Sequence, residues 1–434
     1  MQEQAKEVLN KNKLSGSTKP AIGLYPHQWF WDSCFIAVGL RWIDISRAKE
    51  EVRSLLKGQW PNGMIPHIIF SEENGYHFGP KYWKSSKFGS PINVETSCLT
   101  QPPMLAEAIY KIGQKLENNE RFSWYQETIP DLIKYHEWLY EHRTVPGSDL
   151  VSLIHPWECG MDNTPYWLVE TRSAMPLKIK ALKKLKLDIL LNRFRKDTKT
   201  VPASQRPEPA DLFTFYNIVK QAGNCDYNLA KIIEKSKIPI IEDLLFNGIF
   251  LRANNCLLKM AQEINYEVSE NLKGRINNSF KDIKKLAAGN SYYSRNSRTG
   301  KLIEVDSVAE FMMLYSGSLT NQEARIIADK IKKGTKWWPE LGIATVPVDS
   351  SWFLEKNYWR GPVWININWL IIEGLSRYGL LDMAADLADE TIGIIENSKG
   401  FHEYYSALDG YAAGSKQFSW TAALYIDLIN NFSS

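Results

Sequence analysis

The apolar positions of this chain recur mainly at intervals of three and four. Tyr125, Ile129, Leu132, Ile133, His136, Leu139 and Tyr140 form one such stripe. Ile241, Leu244, Leu245, Ile249, Ala253, Cys256, Leu257 and Met260 form another, and both spacings predict amphipathic helices. Asp44 or Ser46 is placed to cap a helix carrying Val52, Leu55 and Leu56, the stretch Leu381 to Asn397 runs toward a stop at Gly400, and Ser419 opens a last helix through Leu428. Alternating strand patterns are scarce, so the expected class is all-α. Helices recur with loop clusters between them, as stacked helical hairpins require, without a clean repeat.

One stretch departs from this rhythm. From about 178 to 211 a Lys-rich, helix-like run passes into KDTKTVPASQRPEPAD, whose Pro, Ser and Thr content predicts an exposed loop. The helical pattern then resumes without a change of composition. The expectation is a single domain over 1–434, with an inserted lid or cap at about 170–215, and the basic run 181–195 reads as a solvated face.

Composition narrows the function. With 52 basic against 49 acidic side chains the formal charge is +3, which provides no field to gather nucleic acid or an anionic membrane. Five cysteines without a C-x-x-C pair do not make a disulfide framework or a zinc ribbon, and a reducing cytoplasm suits them. The N-terminal MQEQAKEVLNKNK lacks the apolar run of a secretory signal. The most apolar stretch, 359–375, is interrupted by Arg360 and Glu373 and predicts a buried helix rather than a membrane span. The 16 Trp and 20 Tyr gather in short clusters: YPHQWFWD at 25–32, IHPWECGMDNTPYW at 154–167, and NYWRGPVW at 357–364. Aromatic faces beside carboxylates and amides suit sugars, whose C–H faces stack while their hydroxyls need directional partners.

Cleaving a glycosidic bond takes one protonated carboxyl and one ionised carboxylate. Asp162 lies in a loop forced by Pro156, Gly160 and Pro165, with Trp157 and Trp167 supplying apolar surroundings that raise a carboxyl pKa. Glu158 competes for the same role, and either acid could instead cap the helix near Pro165. Glu403, between His402 and Tyr404 in a glycine-punctuated aromatic loop, is placed to hold a water; Asp409 reads as a turn residue. Asp32 opens a helix and either caps it or grips adjacent sugar hydroxyls. His27, His67, His77 and His155 lack metal-site spacing, no G-x-S-x-G occurs, and nucleotide-binding glycine patterns are absent. No metal or cofactor is therefore expected.

Five pieces, taken in order, resemble glycoside hydrolase family 63, and most closely its small members acting on mannosylglycerate or glucosylglycerate. They are YPHQWFWDSCFIAVGL beginning at Tyr25, GQWPNGMIPHIIF from 58, HPWECGMDNTPYW from 155, NYWRGPVWININWL from 357, and FHEYYSALDG from 401. The resemblance implies an (α/α)6 barrel and an inverting mechanism, with Asp162 as general acid and Glu403 as general base, which relegates Glu158 to support. It also implies that Tyr25, Trp31, Asp32, His67 and Gln101 line the sugar subsite, and that Tyr358, Trp359 and Arg206 meet a glycerate or other aglycone. Trp157 and Arg360 complete the expected substrate contacts. Position 212, often Tyr in that family, is Leu here, and Tyr216 is the nearest substitute. The expected partner is a small glycoside; no oligomer is predicted. A sugar-binding barrel without turnover and an oligosaccharide α-glucosidase are the competing readings.

Overall fold

The computed structural model describes residues 1–71 and 79–432, so His77 lies outside the described part. Among the described residues the barrel helices in chain order are α1 (Gln2–Lys11), α2 (Phe30–Leu40), α3 (Ile45–Lys57), α4 (Leu105–Gly113), α5 (Asn118–His142) and α6 (Leu244–Glu263). They continue with α7 (Glu270–Asp282), α8 (Met312–Ser316), α9 (Asn321–Asp329), α10 (Ile365–Arg377), α11 (Leu381–Ser398) and α12 (Ser419–Asn431).

The even-numbered helices form a closed inner ring, each packing on the next and α12 returning to α2. The odd-numbered helices pack outside them: α1 on α12, α3 on α2, α5 on α4 and α6, α7 on α6, α9 on α8, α11 on α10. This alternation is the (α/α)6 toroid. The sequence distinguishes the two layers. Every residue of FWDSCFIAVGL in α2 is buried, as an inner helix requires, whereas α3 buries one face through Ala48, Val52 and Leu55. Of the two candidate caps it is Asp44 that accepts from the Arg47 N–H, at 3.0 Å. In α6 the predicted helix starts late: Ile241 pairs with Leu153 and Asn296 in a small sheet, and Asp243 caps the helix by accepting from the Phe246 N–H.

Successive inner helices are separated by one outer helix, so their N-termini share one end of the ring. There the loop before α2, the residues before α4, the long α5–α6 connection, the 357–364 cluster before α10 and a hairpin before α12 converge. The hairpin pairs His402–Tyr405 with Ala412–Lys416, a β element where the sequence predicts a loop. No described helix is long and apolar enough to cross a membrane.

The α5–α6 connection carries helices Pro165–Ser173, Leu177–Lys184 and Pro209–Asn224, which pack together. Arg172 pairs bidentately with Asp211, and Lys183 with Glu208. Its Pro/Ser/Thr stretch is exposed at Lys196, Lys199, Thr200, Pro202, Ala203 and Ser204, as expected, but turns other residues inward. Arg195, Val201, Gln205 and Arg206 are buried, because Asp197 pairs with both arginines and satisfies charges that would otherwise need water.

Candidate active site

A cavity of about 120 Å³ sits at the N-terminal end of the inner ring, and it collects Asp32, Asp162 and Glu403 on one wall system. Asp32 comes from the first turn of α2. Asp162 follows the short helical turn Pro156–Cys159, whose N-terminus is capped by His155 accepting from the Trp157 N–H at 3.0 Å. The chain then turns through Gly160 in the left-handed region, φ +78°, and a Cβ there would lie 2.7 Å from the Trp31 ring. Only glycine lets the acid loop pass so close to that indole.

The hairpin register slips by one residue between His402↔Lys416 and Tyr404↔Ala413, so Glu403 stands opposite both Gly414 and Ser415, and its side chain lines the cavity. One carboxylate oxygen accepts from the Tyr25 hydroxyl at 2.7 Å and from Arg206 Nη1 at 3.3 Å; the other accepts from the Ser415 N–H at 2.8 Å. Gly414 lies against it in the left-handed region, φ +72°.

The three acids differ in electrostatic setting. Burial pushes the Asp162 carboxyl up from 3.8 to about 7, with Glu403 adding to the rise and Arg206 and the residue's own backbone N–H opposing it. Burial also holds Asp32 well above its usual range, reinforced by Glu403, Asp162 and Glu51. Its carboxyl lines the cavity beside Asp162 and Glu403. The N-cap position of α2 is Trp29, which makes no side-chain cap bond, while the Asp32 carboxyl accepts from its own backbone N–H in the first turn.

Around these acids the cavity is walled by Tyr25, Trp31, Gln101, Trp157, Arg206, Tyr358 and Trp359, all expected from the sequence. Arg206 is held by Tyr25 at 2.9 Å, by Asp197 at 3.4 Å, and by the Tyr358 ring 4.3 Å from its guanidinium carbon. Trp359 stacks on Trp364 at 3.6 Å. Leu212 and Tyr216 both reach the wall, so a tyrosine ring is supplied one helical turn beyond the expected position.

Two expected contacts stand elsewhere. His67 lies behind the wall, its Nδ1 2.5 Å from the Ser97 hydroxyl and its ring packed on Trp29, Trp83 and Trp157; burial lowers it to about 3, so it is a neutral support for the indoles rather than a sugar ligand. Arg360 faces away, donating to the Trp352 carbonyl at 3.2 Å and covering the Trp352 ring, where it offsets Glu208 rather than a substrate. Glu158 is fully buried and paired with Arg143 at 2.8 Å while accepting from the Ile154 N–H, which makes it a strut of the acid loop. Among the described residues no His, Cys, Asp or Glu cluster could hold a metal ion.

Sequence reasoning missed Trp29, Arg195, Lys196, Asp197, Trp364, Phe418 and Trp420 on the wall. Trp364 and Trp420 stand inside or beside aromatic clusters, a usable signal; Asp197 sits in a bland polar stretch with none.

The family model described as a mannosylglycerate hydrolase MGH1-like glycoside hydrolase domain matches residues 25–421, spanning every wall residue from Tyr25 to Trp420. The chain belongs to this family of glycoside hydrolases. Among its relatives, a mannosylglycerate hydrolase of Thermus thermophilus is 35% identical over 97% of this chain and 98% of its own. A glucosylglycerate hydrolase of Mycolicibacterium hassiacum is 30% identical over 98% and 96%. The crystal structure of a family 63 mannosylglycerate hydrolase from Thermus thermophilus in complex with Tris and D-glycerate superposes with a TM-score of 0.87 at 32% identity, covering 98% of this chain and 99% of that one. Family membership and toroid therefore agree with the resemblance carried by the five motifs.

Proposed function

We propose that this glycoside hydrolase cleaves mannosylglycerate or glucosylglycerate with inversion, Asp162 acting as general acid and Glu403 as general base. The observation that carries this reading is the shared cavity, in which a carboxyl held near neutrality faces a carboxylate already anchored by three donors. Protonated Asp162 gives its proton to the glycosidic oxygen as the bond to the anomeric carbon breaks. Glu403 takes a proton from a water, which attacks the opposite face of the sugar. Inversion requires roughly 6.5 to 9.5 Å between such carboxyls, room for that water. Trp31, Trp157 and Trp359 offer faces to the ring, and Asp32 and Gln101 offer polar atoms to its hydroxyls.

The relatives named for glycerate glycosides support a small anionic aglycone. Arg206 supplies the planar cation for its carboxylate, and Tyr216 stands in for the tyrosine absent at 212. In this reading 170–215 is a cap, with Arg195 to Pro207 closing the chamber. A cavity walled on one side by Arg195, Arg206 and Pro207 of the cap favours a short glycoside over the open cleft of an oligosaccharide-trimming enzyme.

The test is a screen of mannosylglycerate, glucosylglycerate and uncharged short glucosides, with NMR of the first anomer released. Inverted sugar, and loss of turnover in Asp162→Ala and Glu403→Ala, are expected. Near-normal turnover in either variant sinks the assignment. Arg206→Ala should lower kcat on every substrate, because Arg206 also holds Glu403, and should raise KM selectively for glycerate substrates; an equal rise in KM on uncharged glucosides refutes the aglycone reading. Binding in the calorimeter without hydrolysis would instead mark a sugar-binding barrel.

A further inference from the structure

Arg206 and Glu403 are brought together across 197 positions of chain, and no barrel helix holds the segment that delivers Arg206. What fixes it is a run of side-chain amides. Asn163, next to the acid, accepts from the Trp359 N–H at 2.9 Å and donates to Asn357 Oδ1 at 2.9 Å. Asn357 spends both its N–H donors on the cap backbone, at the Ser204 carbonyl (2.8 Å) and the Arg206 carbonyl (2.9 Å), which flank Gln205. Gln205 in turn accepts from the Gly414 N–H at 2.9 Å through its side chain and from the Tyr404 hydroxyl at 2.6 Å through its carbonyl. Gly414 and Tyr404 are the residues that bracket Glu403 in the hairpin.

We propose that Asn357 and Gln205 are positioning residues, a hydrogen-bonded clamp that ties the acid loop to the base hairpin through the cap and sets where Arg206 stands between them. Neither touches the cavity; both act through groups that do. The geometry explains why one amide suffices at 357: its oxygen reads the acid loop and its nitrogen reads two carbonyls of the cap, so a shift of either loop breaks a bond. The proposal rests on the hydrolytic reading for its kinetic consequence but not for its structural one.

Asn357→Ala and Gln205→Ala test it. Misplacement on the order of 1 Å costs about a hundredfold in turnover, so kcat should fall by about tenfold to a hundredfold with KM changed far less. The pH profile separates positioning from general damage. Asp162 is faced by Arg206, Glu403, Asp32 and Tyr358, and Arg206 alone among these lowers its pKa. Letting Arg206 drift should move the basic limb of kcat/KM to higher pH. Amide exchange read by mass spectrometry on peptides covering 203–207 and 412–416 should quicken together in Asn357→Ala. Unchanged kcat, or reduced kcat with an unmoved basic limb and unaltered exchange at 412–416, overturns the clamp. Should the wild type hydrolyse no glycoside, the functional reading fails and the exchange measurement alone decides the clamp.

Discussion

Replacing Asp162 by asparagine should make the protein more stable above neutral pH while removing most of its turnover. The native carboxyl is raised from 3.8 to about 7, chiefly by burial. Between those values an unfolded chain has released this proton and the folded one retains it, so each rise in pH favours unfolding; above about 7 the folded group is ionised too and the loss levels off. At about 1.4 kcal/mol per pKa unit, the penalty reaches about 4 kcal/mol at alkaline pH. An asparagine side chain, unable to ionise, escapes it. The stability difference between variant and wild type should therefore grow by about 3 kcal/mol from about pH 5 to about pH 8. With unfolding entropy near about 2.1 cal/mol/K per residue over 434 residues, the full penalty corresponds to roughly 4 °C in Tm. Urea unfolding of both proteins at unit steps of pH reads this directly. Glu51, raised by burial from 4.5 to about 7, gives the wild type a slope of the same sign, but it is common to both proteins and cancels in the difference. A difference that does not vary with pH would refute the raised carboxyl and, with it, the electrostatic support for Asp162 as the proton donor.

Three further outcomes are expected. Wild-type kcat/KM should decline as pH rises through about 7, as Asp162 loses its proton; a plateau extending to about pH 9 contradicts the acid assignment. Gly414→Ala places a Cβ 2.5 Å from a Glu403 oxygen at φ +72°, and should cost about 1–2 kcal/mol in unfolding experiments and about a hundredfold in kcat; normal kinetics would show that the base does not depend on this contact. Glu158→Ala leaves Arg143 buried without its partner and should lose about 3–5 kcal/mol of stability by urea unfolding, against less than about 1 if the pair were dispensable.

The layers of the toroid were legible because burial on all sides and burial on one side leave different residue patterns, as α2 and α3 show. Asp162 could be picked out locally, since Pro156, Gly160 and Pro165 dictate its loop and the neighbouring indoles dictate its surroundings. Choosing it over Glu158 needed the family motif, and the structure supplies the physical reason: Arg143, fifteen positions away, neutralises Glu158. Arg206 was named only through the resemblance, and Asp197 not at all, because their meaning lies in ion pairs that form when the cap folds over the cavity. His67 and Arg360 stand within motifs that do build the site, yet motif membership fixes neither depth nor facing: one is a layer behind, the other turned outward. The hairpin escaped notice because its strands are too short to show alternation, and the slip that sets Gly414 and Ser415 opposite Glu403 exists only in the pairing.

Because α12 closes the ring on both α1 and α2, the seam joins stretches of chain that are made far apart in time. A ribosome delivers Asp32 and Asp162 long before Glu403 and Trp420. Until α12 docks, the growing polypeptide has an aromatic wall that lacks its Trp420 side. The chamber is thus completed in a single late step, and a chain cut short before this helix should be silent rather than partly active.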